Sequence, residues 1–171
     1  DLNNQNQIQL LTEFEQYHNE IPFKGWQQDG VKYQFKNGFY SYTDGIVLYS
    51  MIRHYKPKRI IEIGSGFSSA VMLDTNEFFF NKQIDLTFID PYPERLLSLM
   101  TEDDKKSATV IISDAQVIDL DVFKKLETGD ILFIDSSHVA KTGSDVNYIL
   151  FEILPILKSG VIIHFHDIFF P

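Results

Sequence analysis

From Arg59 onward the chain repeats one unit: a short run of β-branched and other apolar residues, then a stretch with helical spacing. The runs are Arg59–Ile63, Leu86–Ile89, Thr109–Ile112, Ile131–Ile134 and Val161–Phe165. Helices are expected near Phe67–Phe80, Pro93–Met100, Asp121–Leu126 and Asp145–Leu157. Strands that are apolar on both faces and joined by helices need cover on both sides, which describes a parallel sheet. Right-handed crossovers then give an α/β, Rossmann-like, doubly wound sheet of strand order 3-2-1-4-5. Such a sheet binds ligands beyond the carboxyl ends of its strands.

The upstream residues follow another pattern. Ile8, Leu11, Phe14 and Tyr17 recur at helical spacing within Gln7–His18, and the Gly- and aromatic-rich stretch Ile21–Tyr42 has no firm period. Asp44 is placed to cap a helix that turns Ile46, Leu48, Met51 and Ile52 inward and stops before Pro57. We therefore expect two parts: residues 1–58, a helical and irregular segment packing on or preceding the core, and residues 59–171, the ligand-binding core.

Composition excludes several classes. With 15 Lys+Arg against 24 Asp+Glu the formal net charge is -9, and no basic patch is dense enough for a nucleic-acid partner. The absence of cysteine excludes disulfides and thiolate chemistry and fits a reducing, cytoplasmic setting. No apolar run approaches the ~18 residues that span a bilayer, and no secretory signal pattern opens the chain. The sequence starts at Asp1 rather than Met and ends on apolar Ile168-Phe169-Phe170-Pro171, so a longer gene product is expected.

The chemistry should sit at the strand ends. After the first strand, Glu62-Ile63-Gly64-Ser65-Gly66-Phe67-Ser68-Ser69 places two glycines between strand and helix. Glycine there lets the backbone turn tightly and approach a ligand closely, although a purely structural turn would use it too. The second strand ends in Asp90, which can accept the hydroxyls of a ribose or cap the next helix. The third ends Ser113-Asp114-Ala115, where the acid can reach an adenine amino group or simply form a turn. Asp135 closes the fourth strand, and His164, His166 and Asp167 lie in or just after the fifth. Adjacent fourth and fifth strands should bring Asp135, His166 and Asp167 together as a divalent-metal site. His164 reads better as a core residue of its strand. His138, just past Asp135, suits a general base as well as it suits a solvent-exposed histidine.

These motifs together resemble the class I S-adenosylmethionine-dependent methyltransferases, nearest to methyltransferase domain family 24, over roughly Phe39 to Pro171. The resemblance implies that Glu62, with Gly64, Ser65 and Gly66, holds the methionine part of the cofactor. It implies that Asp90 takes the ribose hydroxyls and that Asp114 and Ala115 face the adenine. Ser68 stands where a third glycine is common and can add a hydroxyl near the cofactor. Related small-molecule O-methyltransferases bind magnesium through an acid after strand four and two polar residues after strand five, the places of Asp135, His166 and Asp167. The catechol-type pattern has Asp-Asn where this chain has His166-Asp167, which leaves Mg2+ or another divalent metal open. The implied partner is a small-molecule or sugar hydroxyl acceptor; for the transfer itself we expect His138 as the base, with Asp135 also catalytic. The full family fold adds an antiparallel strand pair after strand five. Its apparent absence would leave an apolar edge, and the formation of a homo-oligomer stays open.

Three rivals come from other classes. Gly66-Phe67-Ser68-Ser69-Ala70 is one residue from the Gly-x-Ser-x-Gly elbow of α/β hydrolases, with Ser68 as nucleophile, yet that serine should follow its strand immediately. A nicotinamide-binding turn would want Gly or Ala where Ser69 stands. A non-catalytic module that binds cofactor for protein contact is the third.

Overall fold

The fold is described for residues 2–168 of a computed structural model; Phe169-Phe170-Pro171, expected to be an apolar tail, lie outside the described residues. Strands β1 (Arg59–Ile63), β2 (Asp85–Ile89), β3 (Thr109–Ile111), β4 (Ile131–Ile134) and β5 (Ile162–Phe165) form one parallel sheet in the order β3-β2-β1-β4-β5. The five apolar runs and their predicted order are both present. Glu62 pairs with Phe88 and Phe133, and Ile63 with Ile89 and Ile134, so β1, β2 and β4 end level with one another. Gly64, Asp90 and Asp135 therefore emerge at one edge of the sheet.

Alternation along each strand feeds two cores. Ile60, Leu86, Phe88, Ile131 and Phe133 face helices α2 (Tyr42–Tyr55) and α3 (Phe67–Phe80), together with Leu96 and Met100. Ile61, Ile63, Ile89, Leu132 and Ile134 face Phe123, Leu126, Ile149 and Ile153. Phe23, Tyr33, Phe35 and Tyr40 from the aperiodic stretch are buried in the first of these cores. A buried clamp fixes that stretch: Asp74 of α3 accepts hydrogen bonds from the backbone N–H groups of Lys32 and Tyr33, and the Lys32 ammonium lies 3.3 Å from the same carboxylate. The first helix, α1 (Asn4–Phe14), is held less firmly, since Phe14 is buried while Ile8 and Leu11 are 66% and 59% exposed.

Several local expectations give way for clear reasons. Ser41 rather than Asp44 is the first cap of α2; Asp44 sits one turn in and accepts the Ser41 N–H at 3.0 Å. The segment after β2 holds two short helices, α4 (Glu94–Leu99) and α5 (Glu102–Ser107). Asp121–Leu126 forms only a 3-10 turn at Phe123–Lys125. Asp145–Leu157 starts as α6 (Asp145–Tyr148), widens into a π turn over Ile149–Ile153, and tightens to 3-10 at Leu154–Ile156. Pro155, which lacks an N–H to donate, sits at that last change. Among the described residues β5 pairs with β4 alone, and its Ile163 is 42% exposed, in keeping with the apolar edge expected there. Among the described residues no helix is long and apolar enough to cross a membrane.

Candidate active site

The parallel ladder runs on past the strands and holds their loops in place. The Gly64 N–H donates to the Ile89 carbonyl at 2.9 Å, Asp90 to Ile111 at 3.1 Å, Asp135 to Ile63 at 2.8 Å and His166 to Ile134 at 2.8 Å. Gly64 has φ +85°, and a Cβ there would lie 1.8 Å from the Asp135 carbonyl oxygen, so only glycine allows the β1 turn to lie against the chain leaving β4.

A cleft of about 720 Å³ opens over these loops, a size suited to a cofactor. Gly64, Ser65, Asp90, Arg95, Asp114 and Asp135 are among the residues on its walls. Ala115 lines it as well, beside Asp114, which opens the 3-10 turn Ala115–Val117. The Asp90 Oδ2 accepts both the backbone N–H and the hydroxyl of Ser65 at 2.7 Å, and its Oδ1 accepts the Tyr92 N–H at 2.8 Å. Asp90 thus braces the glycine turn and its own loop from the cleft wall.

Glu62 and Ser68 lie beneath that surface. Both are buried, and neither lines the cleft. Glu62 accepts the Ser68 hydroxyl at 2.5 Å and also the hydroxyl of Ser69, while the Ser69 oxygen accepts the Gly66 N–H at 3.0 Å. The carboxylate therefore pins the first turn of α3 under the glycine loop. Burial pushes its pKa up to about 8, against the two serine donors, which lower it. A raised carboxyl pKa means stability that is full below the ordinary value and lost as pH rises towards 8. Glu62→Gln is accordingly expected to flatten this loss: the urea midpoints of variant and parent should diverge in the variant's favour between pH 5 and pH 9. A constant difference across that range would reject the buried-charge account. With its hydroxyl given to Glu62, Ser68 is not presented as an esterase nucleophile.

Across the glycine turn, Asp135, His166 and Asp167 bring one ligand atom each to within 4.8 Å of one another, as their strand order predicted. His138 joins them, its Nε2 lying 3.2 Å from Asp135 and 3.8 Å from Asp167. His138 and Asp167 both hold left-handed backbone, φ 59° and 56°, a conformation uncommon outside glycine and often kept at functional sites. Burial raises the pKa of Asp135, opposed by the imidazoles of His166 and His138. His164 stays out of the group. Its ring stacks on Phe133 at 4.4 Å, and burial lowers its pKa to about 4, in keeping with a neutral core residue.

Two neighbours of the site were not singled out from the sequence. Tyr40, buried, sets its ring 4.9 Å from that of His166. Arg95 lies on the cleft wall with its guanidinium 3.9 Å above the exposed ring of Phe39, which stacks in turn on Phe67. Tyr40 belongs to the aromatic stretch without a period, and Arg95 to helix α4, where helical spacing marks the element but not that this side chain reaches the cleft.

Comparisons with known proteins agree with this fold. The model of a methyltransferase domain family matches residues 61–168. An uncharacterized protein of Archaeoglobus fulgidus is 33% identical over 131 residues, covering 74% of this chain and 58% of its own length. Among solved structures, the SAH-bound Podospora anserina methyltransferase PaMTH1 superposes with TM-score 0.52 at 22% identity, over 92% of this chain and 61% of that one. A CmcI structure with Mg and SAM gives TM-score 0.55 at 21% identity, over 90% and 65% respectively. At these identities the two structures speak for the fold. The chain spans less than two thirds of the length of each of these three proteins.

Proposed function

The chain belongs to the methyltransferase domain family, and from that premise we propose that it binds S-adenosylmethionine across the glycine turn and methylates a hydroxyl of a small molecule or sugar. One observation carries the reading: a turn that only glycine permits is flanked in a single cleft by the Asp90 carboxylate and by Asp135, on which His138, His166 and Asp167 converge. Asp90 would take the ribose hydroxyls, with Asp114 and Ala115 at the adenine. Gly64, Ser65 and Gly66 form the floor under the methionine part, and Glu62 and Ser68 serve from below by holding that floor in shape. The bound cofactor supplies an electrophilic methyl group to an oxygen attacking in line.

The rest is the work of this chain's residues. Positioning provides most of the acceleration, because the cleft fixes the direction from which an acceptor can approach. His138 is the base that accepts the hydroxyl proton, and Asp135 and Asp167 bring negative charge to meet the positive charge its ring gains. The donor set of Asp135, His166 and Asp167, two carboxylates and one imidazole, fits a divalent metal. A metal held there would lower the pKa of an acceptor hydroxyl. The division into an N-terminal segment, residues 1–58, and a cofactor-binding core from 59 onward is part of this proposal.

Asp90→Ala tests the cofactor half. Its carboxylate is expected to provide two charge-assisted hydrogen bonds to the ribose, so calorimetry with S-adenosylhomocysteine (SAH) should show affinity reduced by roughly 100-fold. Parental affinity in the variant would place the ribose elsewhere.

A further inference from the structure

We infer that Arg95 is the carboxylate anchor of the cleft: its guanidinium binds the amino-acid carboxylate of the cofactor. This rests on the reading of the cleft as a site for S-adenosylmethionine.

The charge layout carries the argument. Asp90, Asp114, Asp135 and Asp145 all line the cleft, so a ligand carboxylate entering it meets like charge on most sides. Two cationic side chains share the walls, Arg95 and Lys141. They stand on opposite faces of the sheet. Arg95 belongs to α4, packed on the α3 side where Leu96 joins the first core, whereas Lys141 precedes α6 on the face of the second core. Lys141 also keeps to the β3 end of the cleft, where Gln116 donates to the Gly143 carbonyl, which is the end assigned to adenine.

Arg95 lies over the glycine turn itself: a Cβ added to Gly66 would come within 3.3 Å of its Cδ and 3.6 Å of a terminal nitrogen. Among the described residues its guanidinium has no ion pair and no hydrogen bond, although carboxylates surround the cleft. It stacks over the face of Phe39 at 3.9 Å, a contact that orients the planar group without using its N–H donors. A guanidinium so placed offers the paired donors that a carboxylate accepts. The methionine part of the cofactor, if laid along Gly64–Gly66 as proposed, would bring its carboxylate to this spot.

The test compares two ligands that differ in that group. SAH carries the amino-acid tail; 5′-methylthioadenosine keeps the adenosyl thioether and lacks the tail. Calorimetric titration of the chain, of Arg95→Gln and of Arg95→Lys with both compounds is expected to show a loss for SAH in Arg95→Gln of about 10-fold, the size suited to a charge-assisted pair at a partly open site. The loss should be smaller in Arg95→Lys, and 5′-methylthioadenosine should bind all three proteins alike. Equal SAH affinity in the parent and Arg95→Gln overturns the assignment, as does a parallel loss for both ligands, which would mean that Arg95 only shapes the cleft. If the parent binds neither compound, the cofactor reading fails before the question of Arg95 arises.

Discussion

Replacing Asp135 by alanine is expected to abolish methyl transfer while leaving SAH bound within a few-fold of the parent affinity. The side chain is half-buried where β4 ends, and three other polar side chains converge on it. Its loss removes the carboxylate 3.2 Å from His138 and a donor atom of the candidate metal group. The backbone contact that shapes the cleft, the Asp135 N–H on the Ile63 carbonyl, survives the change. A base and its partner contribute roughly 10²- to 10⁴-fold to such reactions, so turnover should fall by about 10³-fold. Transfer of a radiolabelled methyl group to a panel of small hydroxyl compounds and sugars reads the effect, with calorimetry for binding. Asp135→Asn separates charge from shape, since the amide fills the same volume without the negative charge. An Asp135→Ala protein that turns over at the parental rate would remove this cluster from the reaction.

The sequence was most informative where hydrophobic burial acts on both sides of an element. β1 and β4 read correctly because residues such as Ile60, Ile61, Leu132 and Phe133 must all be apolar in a sheet covered on two faces. Strand order followed from crossover handedness, and with it the meeting of Asp135 with His166 and Asp167. Polar elements left weaker traces. Helix α5, Glu-Asp-Asp-Lys-Lys-Ser, has no apolar stripe, although Thr101 and Asp104 form a capping box from which it could have been found. What the sequence hid were side-chain partners set by tertiary contact. Nothing in Glu62-x-Gly64-x-Gly66 tells that the acid turns inward to two serines, leaving Asp90 and Asp135 to face the cleft. Likewise Lys32 gives no local sign that it will be buried against Asp74, 42 residues away.

Gly64→Ala should be the most damaging small change in the chain. Its Cβ would stand 1.8 Å from the oxygen and 2.7 Å from the carbon of the Asp135 carbonyl, both backbone atoms, so no side-chain rotation can relieve the contact. Moving either strand end would break the hydrogen bonds that tie Gly64 to Ile89 and Asp135 to Ile63. The φ of +85° adds the ordinary strain of a non-glycine residue, about 1–2 kcal/mol. Together these effects are expected to cost more than about 4 kcal/mol, a large share of a typical folding free energy. Gly129→Ala is the matched control. It has φ +87° with no atom within 4 Å of the added carbon, so it bears the backbone strain alone. Urea unfolding should therefore show a modest shift for Gly129→Ala and a collapse for Gly64→Ala, with SAH binding lost only in the latter. Similar midpoints for the two variants would mean that the β1 turn and the chain leaving β4 do not touch, and the shared floor beneath Asp90 and Asp135 would have to be redrawn.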